Sequence, residues 1–459
     1  MDDCIMKQSE WGMFNELSRM TEKSSIINTE LYSKYKVKRG LRDLDGKGVL
    51  VGLTEISEVQ ACVLEEGEMV PAPGQLMYRG YNIVDLVKDF ASDGRYGFEE
   101  TVYLLLFGQL PNQKSQIDFR LLLASYQKLP DNFAREMILN SPSKDIMNGL
   151  GRSVLALYSF DDNPDDTSVT NVLKQCLSLI ACFPSLAVYG YQAFSHYHEN
   201  KSLYIHSPQG NLSTAENILC MLRPDSQYTK LEARLLDLAL VLHTEHGGGN
   251  NSSFMTHVST STGTDTYSVM SAAIGALKGP KHGGANLKVI QMFEDIKDKL
   301  MDWGDDEEIE CYLTQILAKN AFDRSGLIYG IGHAVYSISD PRAVILKYYV
   351  ALLAKEKGLE DEFKLYEAVE RLAPQVIAKS NRMYKGVSAN VDFYSGFVYR
   401  MLNIPDEMFT PIFAISRIVG WSAHRIEEIV NAGKIIRPAY KSVALRREYI
   451  KMDVRVKTS

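Results

Sequence analysis

Residues 231–242 read LEARLLDLALVL, and this stretch shows the pattern that dominates the chain. Its leucines recur three and four residues apart, as at Leu231, Leu235 and Leu238, which is the spacing of one helix face. The same spacing recurs between residues 363 and 372. The sequence therefore predicts a mainly α-helical protein.

A second pattern occurs near the N-terminus, where residues 49–63 read VLVGLTEISEVQACV. This segment combines β-branched residues with partial alternation of apolar and polar side chains, which is typical of strands. It predicts one or two short strands, a minor β component in a helical fold.

The length of 459 residues indicates two or three domains, or one large domain with a smaller one inserted. Apolar residues make up 45% and charged residues 23%, the balance of an ordinary globular protein. The net charge of −7 argues against nonspecific binding to nucleic acid or to an anionic membrane surface. We therefore expect neither nucleic acid nor membrane as a partner.

Cysteine usage and the N-terminus bear on the cellular compartment. The six cysteines are scattered and show no C-x-x-C spacing, so we expect reduced thiols. The first residues, MDDCIMKQSEWGMF, lack the basic and apolar regions of a signal peptide. No run approaches 18 consecutive apolar residues, so we expect no membrane-spanning helix and a cytoplasmic location.

Two turns stand out for their helix-capping residues. In Asp340-Pro341-Arg342 an N-cap type residue precedes proline at the first helical position, so a helix is expected to begin there with Arg342 in its first turn. In LKGPKHGGANLKVIQMF, residues 277–293, one helix ends at Gly279-Pro280 and the next begins near Asn286. His282 is therefore expected in a tight connection between two helices.

Nucleotide-binding and hydrolase motifs are missing from the chain: it contains no G-x-x-x-x-G-K-[ST], no G-x-G-x-x-G between a strand and a helix, no H-E-x-x-H and no G-x-S-x-G. What remains is a set of histidines and one aspartate in turn-like settings, mostly beside glycines that allow close backbone approach to a ligand. These residues are His243, His246, His282, His333 and Asp392.

Three arginines complete this set of polar residues. Arg417 lies in FTPIFAISRIVGWSAHR, residues 409–425, where its neighbours are overwhelmingly apolar. A buried guanidinium needs an anion, which is either an internal carboxylate in a salt bridge or, together with Arg342 and Arg437, a bound polycarboxylate.

A carboxylate base, neutral imidazole donors and an arginine clamp suit removal of a proton alpha to a carbonyl and addition of the carbanion to a keto acid. That chemistry requires no metal. The rival interpretation is a three-histidine, one-aspartate metal site of a hydrolase or oxygenase, in which His243 and His246 chelate from one helix face.

The segments GPKHGGAN (279–286), YGIGHAVYSISDPRA (329–343) and NVDFYSG (390–396) resemble, in this order, the three signature segments of the citrate synthase family. LHTEHGGGN, FTPIFAISRIVGW and IIRP resemble its flanking blocks, and the resemblance runs from about Gly40 to about Tyr440. It implies a two-domain helical fold. Residues 1–282 and 398–459 would form the large, dimer-forming domain, and residues 283–397 the small CoA-binding domain inserted in it.

The resemblance also implies roles for single residues. Asp392 would take a methyl proton from acetyl-CoA, His282 would donate a hydrogen bond to the resulting enolate, and His333 would polarise the keto group of oxaloacetate. His246, Arg342 and Arg417 would hold the carboxylates of oxaloacetate. Arg437 would come from the neighbouring subunit of a homodimer.

The implied cosubstrate is acetyl-CoA, with no permanently bound cofactor and no metal. Ser337 stands where many family members carry a basic residue, so contacts to the CoA phosphates would depend on other cations, with Lys385, Arg382 and Arg324 as candidates. Three alternatives stay open: a 2-methylcitrate synthase acting on propionyl-CoA, the metal-dependent hydrolase, and a noncatalytic binding protein.

Overall fold

The computed structural model describes residues 2–43, 48–65, 68–332, 335–381, 386–431, 433–452 and 455. The chain divides into two compact units, Met1–Leu53 and Thr54–Ser459. His333, Arg382 and Lys385 lie outside the described residues.

The described residues of the first unit form two α-helices followed by one 3-10 turn. The helices are α1 (Asp2–Ser25) and α2 (Glu30–Lys34), and the 3-10 turn is Arg39–Leu41. In this unit the backbone N–H of Val49 donates to the carbonyl of Leu41, which folds the chain back after the turn.

The second unit contains a small sheet and fifteen of the described α-helices. The sheet comes first, as β1 (Ser57–Glu65), β2 (Glu68–Tyr78) and β3 (Tyr81–Asn82). The helices follow as α3 (Ile83–Asp93), α4 (Phe98–Phe107), α5 (Gln113–Ser125), α6 (Ile146–Leu157), α7 (Val169–Glu199), α8 (Thr214–Leu222), α9 (Lys230–His243), α10 (Asn251–Thr260), α11 (Thr266–Lys278), α12 (Ala285–Lys299), α13 (Asp306–Leu317), α14 (Pro341–Lys357), α15 (Glu360–Asn381), α16 (Val391–Met401) and α17 (Phe409–Val430). Short 3-10 turns occupy Tyr158–Phe160 and Asp406–Met408, and a π-helical turn occupies Ala134–Leu139. The predicted mainly helical fold class is confirmed.

The sheet is antiparallel, in the order β1-β2-β3. Ser57 pairs with Tyr78 at one end of the β1–β2 ladder, and the register shifts between Gln60 and Cys62. Strand β1 confirms the strand expected between residues 49 and 63, whereas β2, the longest strand, was not predicted.

Helix α7 runs through the core and packs against α6, α8 and α17. By length and hydropathy it could cross a membrane, but 78% of its most apolar window is buried inside the protein. Burial of this kind is typical of the core helix of a globular protein.

The helix boundaries next to the candidate site residues agree with the sequence predictions. Asp340 caps α14, accepting a hydrogen bond from the backbone N–H of Arg342, and Pro341 is the first helical residue. Helix α11 ends at Lys278 and α12 begins at Ala285, so His282 lies in the turn between them. The five cysteines whose side chains are described are free thiols.

Candidate active site

His282 is fixed by the turn between α11 and α12. Its backbone N–H donates to the carbonyl of Gly279 at 2.8 Å, and its Nε2 lies 3.1 Å from the hydroxyl oxygen of Ser252. Burial, reinforced by the positive charge of Arg417, lowers the pKa of His282 to about 4. The imidazole is therefore neutral near pH 7.

Ser252, at the start of α10, was not singled out from the sequence. Its hydroxyl oxygen accepts a hydrogen bond from the indole N–H of Trp421 at 3.1 Å and lies 3.0 Å from the side-chain oxygen of Asn250. The hydroxyl has one proton, so it donates either to Asn250 or to His282, and that choice sets the imidazole tautomer. No local pattern marks Ser252, because its partners come from distant segments.

Arg342 is buried at the start of α14 and is already paired. Its Nε and Nη2 donate to the two carboxylate oxygens of Asp340 at 3.0 and 2.7 Å. The same carboxylate accepts from the backbone N–H of Val391 at 3.2 Å, at the start of α16. Of the five guanidinium N–H groups, those on Nη1 and one on Nη2 have no acceptor in the described part of the chain and can bind a ligand.

Asp392 occupies the first turn of α16, behind the N-cap Asn390. Burial raises the pKa of Asp392 to about 6, and the carboxylate of Asp340 adds to the rise, against the opposing charges of Arg342 and Arg417. Among the described residues its carboxylate has no hydrogen-bond donor. A carboxyl group with this pKa is mostly ionised at pH 7 and can still accept and release a proton.

Arg417 lies in the middle of α17 and is 1% exposed. Its Nε donates to the carbonyl of His243 at 2.7 Å, and its guanidinium stacks on the ring of Phe413. Nη1 has no hydrogen-bond partner within the described part of the chain, where Arg417 also forms no salt bridge. A direct ion pair of the kind raised by the sequence is thus not observed among these residues, although the carboxylate of Glu245 lies close enough for its charge to act on Arg417.

His243 is the last residue of α9, and His246 follows three residues later. His243 is fully buried against Phe413, and neither ring nitrogen has a partner among the described residues. Burial and the charges of Arg342 and Arg417 hold the pKa of His243 well below its usual range, so the ring is neutral. His246 is also buried and packs edge-on against Tyr336.

Glu245, between the two histidines, is fully buried and ionised. Its Oε1 lies 3.0 Å from the hydroxyl of Ser57 and 3.1 Å from Nε2 of His424. Burial alone would raise its pKa, but His424, Arg417 and the Ser57 hydroxyl outweigh burial and lower the pKa to about 2. Gly420 permits this approach, because a Cβ there would lie 2.2 Å from Oε2 of Glu245.

The electrostatic couplings show which predicted residues share one environment. The charge of Arg417 acts on the pKa values of Asp392, His282 and His243, and Arg417 is in turn influenced by Arg342, whose own charge acts on Asp392 and His243. Desolvation lowers the pKa of Arg417 to about 10, against the opposing charge of Glu245, and Arg342 adds to the fall. The two arginines, Asp392 and the two neutral imidazoles therefore lie close enough for their charges to interact, with the carboxylates of Asp340 and Glu245 beside them.

The remaining predicted residues lie elsewhere or outside the described ranges. Arg437 is exposed on the segment without regular secondary structure after α17, and Arg324 is exposed in a turn with a φ of 57°. Within the described ranges, neither guanidinium forms a hydrogen bond or a salt bridge. The positions of His333, Arg382 and Lys385 fall outside those ranges.

The alternative metal centre at His243 and His246 finds no support. In the part of the chain that the structure describes, the group of three or more metal-ligating side chains is His257, His424 and Glu427. It includes none of the histidines proposed for the hydrolase site.

Comparison of the sequence with known proteins identifies the family to which the chain is related. Residues 43–439 match the family described as citrate synthase, C-terminal domain. The chain is 34% identical to the citrate synthase of Haloferax volcanii over 412 residues, covering 88% of this chain and 94% of that protein. It is 31% identical to the 2-methylcitrate synthase of Shewanella oneidensis over 382 residues, covering 81% and 90%.

A solved structure shares the fold. The ternary complex of carboxymethyl coenzyme A and oxaloacetate with citrate synthase from Thermoplasma acidophilum aligns with a TM-score of 0.73 at 25% identity, covering 91% of this chain and 99% of that one. The fold and these relatives define an enzyme that catalyses an acyl-transfer condensation. The chain belongs to the citrate synthase family.

Proposed function

We propose that this chain condenses acetyl-CoA with oxaloacetate and hydrolyses the citryl-CoA intermediate, giving citrate and CoA. The observation that carries the proposal is the pair of buried guanidinium groups, Arg342 and Arg417, beside Asp392. Among the described residues both arginines keep N–H donors without an acceptor, and a dicarboxylate such as oxaloacetate supplies the matching acceptors.

Asp392 is the proposed base. A thioester alpha proton is weakly acidic, so a base whose pKa lies near the working pH combines adequate ionisation with useful basicity. The raised pKa of about 6 supports this role. The carboxylate abstracts a methyl proton from acetyl-CoA, and the carbanion then attacks the keto carbon of oxaloacetate.

His282 is the proposed donor to the enolate oxygen. When Ser252 donates its proton to Nε2, the ring proton stays on Nδ1, which is then free to donate to the thioester oxygen. The low pKa keeps the ring neutral. Preorganised donors of this kind are typically worth about 10²–10³ in rate.

The remaining assignments rest on the family resemblance and stay predictions. His246 is expected to bind oxaloacetate together with the two arginines, and His333 to polarise its keto group. His243, neutral and unpartnered among the described residues, is a further candidate for a hydrogen bond to a carboxylate of the substrate. Arg324, Arg382 and Lys385 remain candidates for the CoA phosphates, and no permanent cofactor is expected.

The assembly and domain boundaries are likewise proposed. We expect a homodimer in which the partner subunit's Arg437 completes each site, and the exposure of the segment that carries Arg437 supports a contact with a second chain. Residues 283–397 are expected to close over the substrates as the small domain. Closure would exclude water from the enolate.

Oxaloacetate-dependent release of free thiol from acetyl-CoA tests the reaction. We expect one thiol and one citrate for each oxaloacetate consumed. Thiol release without oxaloacetate, or no release at all, would contradict the proposal and favour a thioesterase or a binding protein, respectively.

A second candidate is 2-methylcitrate synthesis, favoured by the identity to the Shewanella oneidensis enzyme. The two acyl groups differ by one methylene, which a pocket discriminates by about 1–3 kcal/mol. Measuring kcat/KM for acetyl-CoA and propionyl-CoA separates the candidates. A higher value for propionyl-CoA would establish the second.

A further inference from the structure

A group of metal-ligating side chains lies outside the residues assigned to the reaction. His257 on α10 and His424 on α17 face one another, with Nε2 of His257 3.2 Å from Nδ1 of His424. Glu427, one turn further along α17, places Oε2 3.7 Å from the same Nδ1. The three atoms lie within 4.8 Å of one another.

These separations suit a tetrahedral ion. With Zn–N bonds of about 2.0–2.1 Å, two ligands of a tetrahedral zinc are separated by about 3.3 Å. The distance between the two imidazole nitrogens is 3.2 Å. Oε2 of Glu427 lies 3.7 Å from Nδ1 of His424, slightly further than the separation of about 3.3 Å expected around zinc.

Each of the three side chains also has a polar contact through its other nitrogen or oxygen, on the side away from the centre of the cluster. Nδ1 of His257 lies 2.8 Å from a carboxylate oxygen of Glu428, and Nε2 of His424 lies 3.1 Å from Glu245. The second oxygen of Glu427 accepts the backbone N–H of Glu55 at 2.8 Å. Carboxylates that hold the outer nitrogen of a histidine are a regular feature of metal sites, because they fix the tautomer and raise the basicity of the ligating nitrogen.

The charge of the cluster also favours a cation. Glu245, Glu427 and Glu428 bring three carboxylates to two imidazoles in a mostly buried space, whereas a protonated His424 supplies a single positive charge. Arg417 beside Glu245 offsets one carboxylate and leaves an excess of negative charge. A divalent ion between the rings would replace one proton with two positive charges.

Space and access are consistent with binding. Gly248 lies next to both rings, since a Cβ there would be 3.3 Å from Cε1 of His424 and 3.4 Å from Nε2 of His257. The side chains of His257 and Glu427 are 14% and 13% exposed, so an ion can enter from solvent.

We propose that His257, His424 and Glu427 bind a divalent transition-metal ion of the zinc class, with Glu428 and Glu245 as outer partners and a fourth position open to water. The ion stabilises the contact between α10 and α17 and takes no part in the condensation. The proposal does not depend on the reaction assigned above.

Cobalt is the probe, because tetrahedral Co²⁺ absorbs in the visible range. Chelator-treated and dialysed protein is titrated with Co²⁺, and we expect an absorption that saturates at one equivalent and is abolished by one equivalent of Zn²⁺. Zn²⁺ should also raise the Tm. Absence of a saturable signal at one equivalent would overturn the proposal.

Three variants localise the ion. His257→Gln should raise the apparent Kd for Co²⁺ at least 100-fold, and Glu428→Gln should raise it about 10–100-fold through the lost outer contact. His198→Gln, at an exposed histidine, is the matched control and should titrate as the wild type does.

An unchanged Kd in His257→Gln, or an equal loss in His198→Gln, would overturn the assignment. If His257→Gln fails to fold, Glu428→Gln decides the matter, because its unchanged affinity would likewise contradict the site.

Discussion

Helix α17 buries two arginines about two turns apart, and their surroundings differ in one respect. Arg425 uses all three guanidinium nitrogens within the protein, donating to the hydroxyls of Thr266 and Thr260 and to the carbonyl of Thr264. Arg417 donates from Nε alone, and Nη1 has no partner among the described residues. Both are 1% exposed.

The difference teaches that burial of a charge does not by itself indicate a binding site. Each guanidinium nitrogen of Arg425 has an internal acceptor, so this arginine stabilises the fold. In the Arg417 region, guanidinium N–H donors without an acceptor among the described residues lie near neutral imidazoles and Asp392. A bound dicarboxylate could accept hydrogen bonds from these donors. Substitutions in the two regions should therefore affect different measurements.

The largest effect is expected from Asp392→Asn, which removes the proposed base and keeps the size of the side chain. We expect kcat to fall by about 10²–10⁴-fold, with little change in the KM for oxaloacetate or in Tm. Steady-state kinetics and thermal unfolding check this. Asp361→Asn, also in the first turn of a helix but exposed, is the control, and retained turnover in Asp392→Asn would remove this residue from the role of base.

Arg417→Met is expected to act mainly on substrate binding. Loss of charge-assisted hydrogen bonds, each worth about 1.5–3 kcal/mol, should raise the KM for oxaloacetate by roughly 10–100-fold. Substrate-saturation kinetics on protein of verified fold measure the effect. An unchanged KM combined with a lowered Tm would show that Arg417 behaves like Arg425.

Arg425→Met should lower the stability of the protein without changing the KM for oxaloacetate. It leaves the threonine hydroxyls and one carbonyl without their donor, so the free energy of unfolding should decrease by about 1–3 kcal/mol while KM stays constant. Denaturant unfolding together with kinetics at a permissive temperature tests this. A large change in KM would erase the distinction between the two regions.

The pH dependence is the smallest expected effect. Because the base acts in its ionised form and its pKa is raised to about 6, kcat/KM should fall about tenfold per pH unit below pH 6 and level off above it. A pH–rate profile between pH 4.5 and about 8 shows the inflection. A flat profile through this range would contradict the assignment of Asp392.

Local sequence patterns predicted much of this site. The capping residue Asp340 and the turn that holds His282 both follow from helix rules that depend on a few neighbouring residues. These features were identified correctly because their causes are local.

Features that depend on distant contacts escaped prediction. Strand β2 contains Pro71 and Pro73, and prolines normally argue against a strand. The short strand β3 pairs with Met77 and Tyr78 alone among the described residues of β2. The two prolines therefore lie where that edge of β2 has no partner strand, and their missing N–H groups cost no hydrogen bond there. Ser252 likewise acquires its role from Trp421 and His282, which are far away in sequence.

The carboxylate of Asp340 has a lasting consequence for redesign of this pocket. It grips the guanidinium of Arg342 while also accepting the backbone N–H of Val391, so the starts of α14 and α16 are fastened to one another. Asp340 thus fixes the positions of both Arg342 and the neighbouring Asp392. An engineered preference for bulkier acyl chains would have to enlarge the pocket elsewhere. Moving Asp340 would displace the starts of α14 and α16 and so misalign Arg342 and Asp392 together.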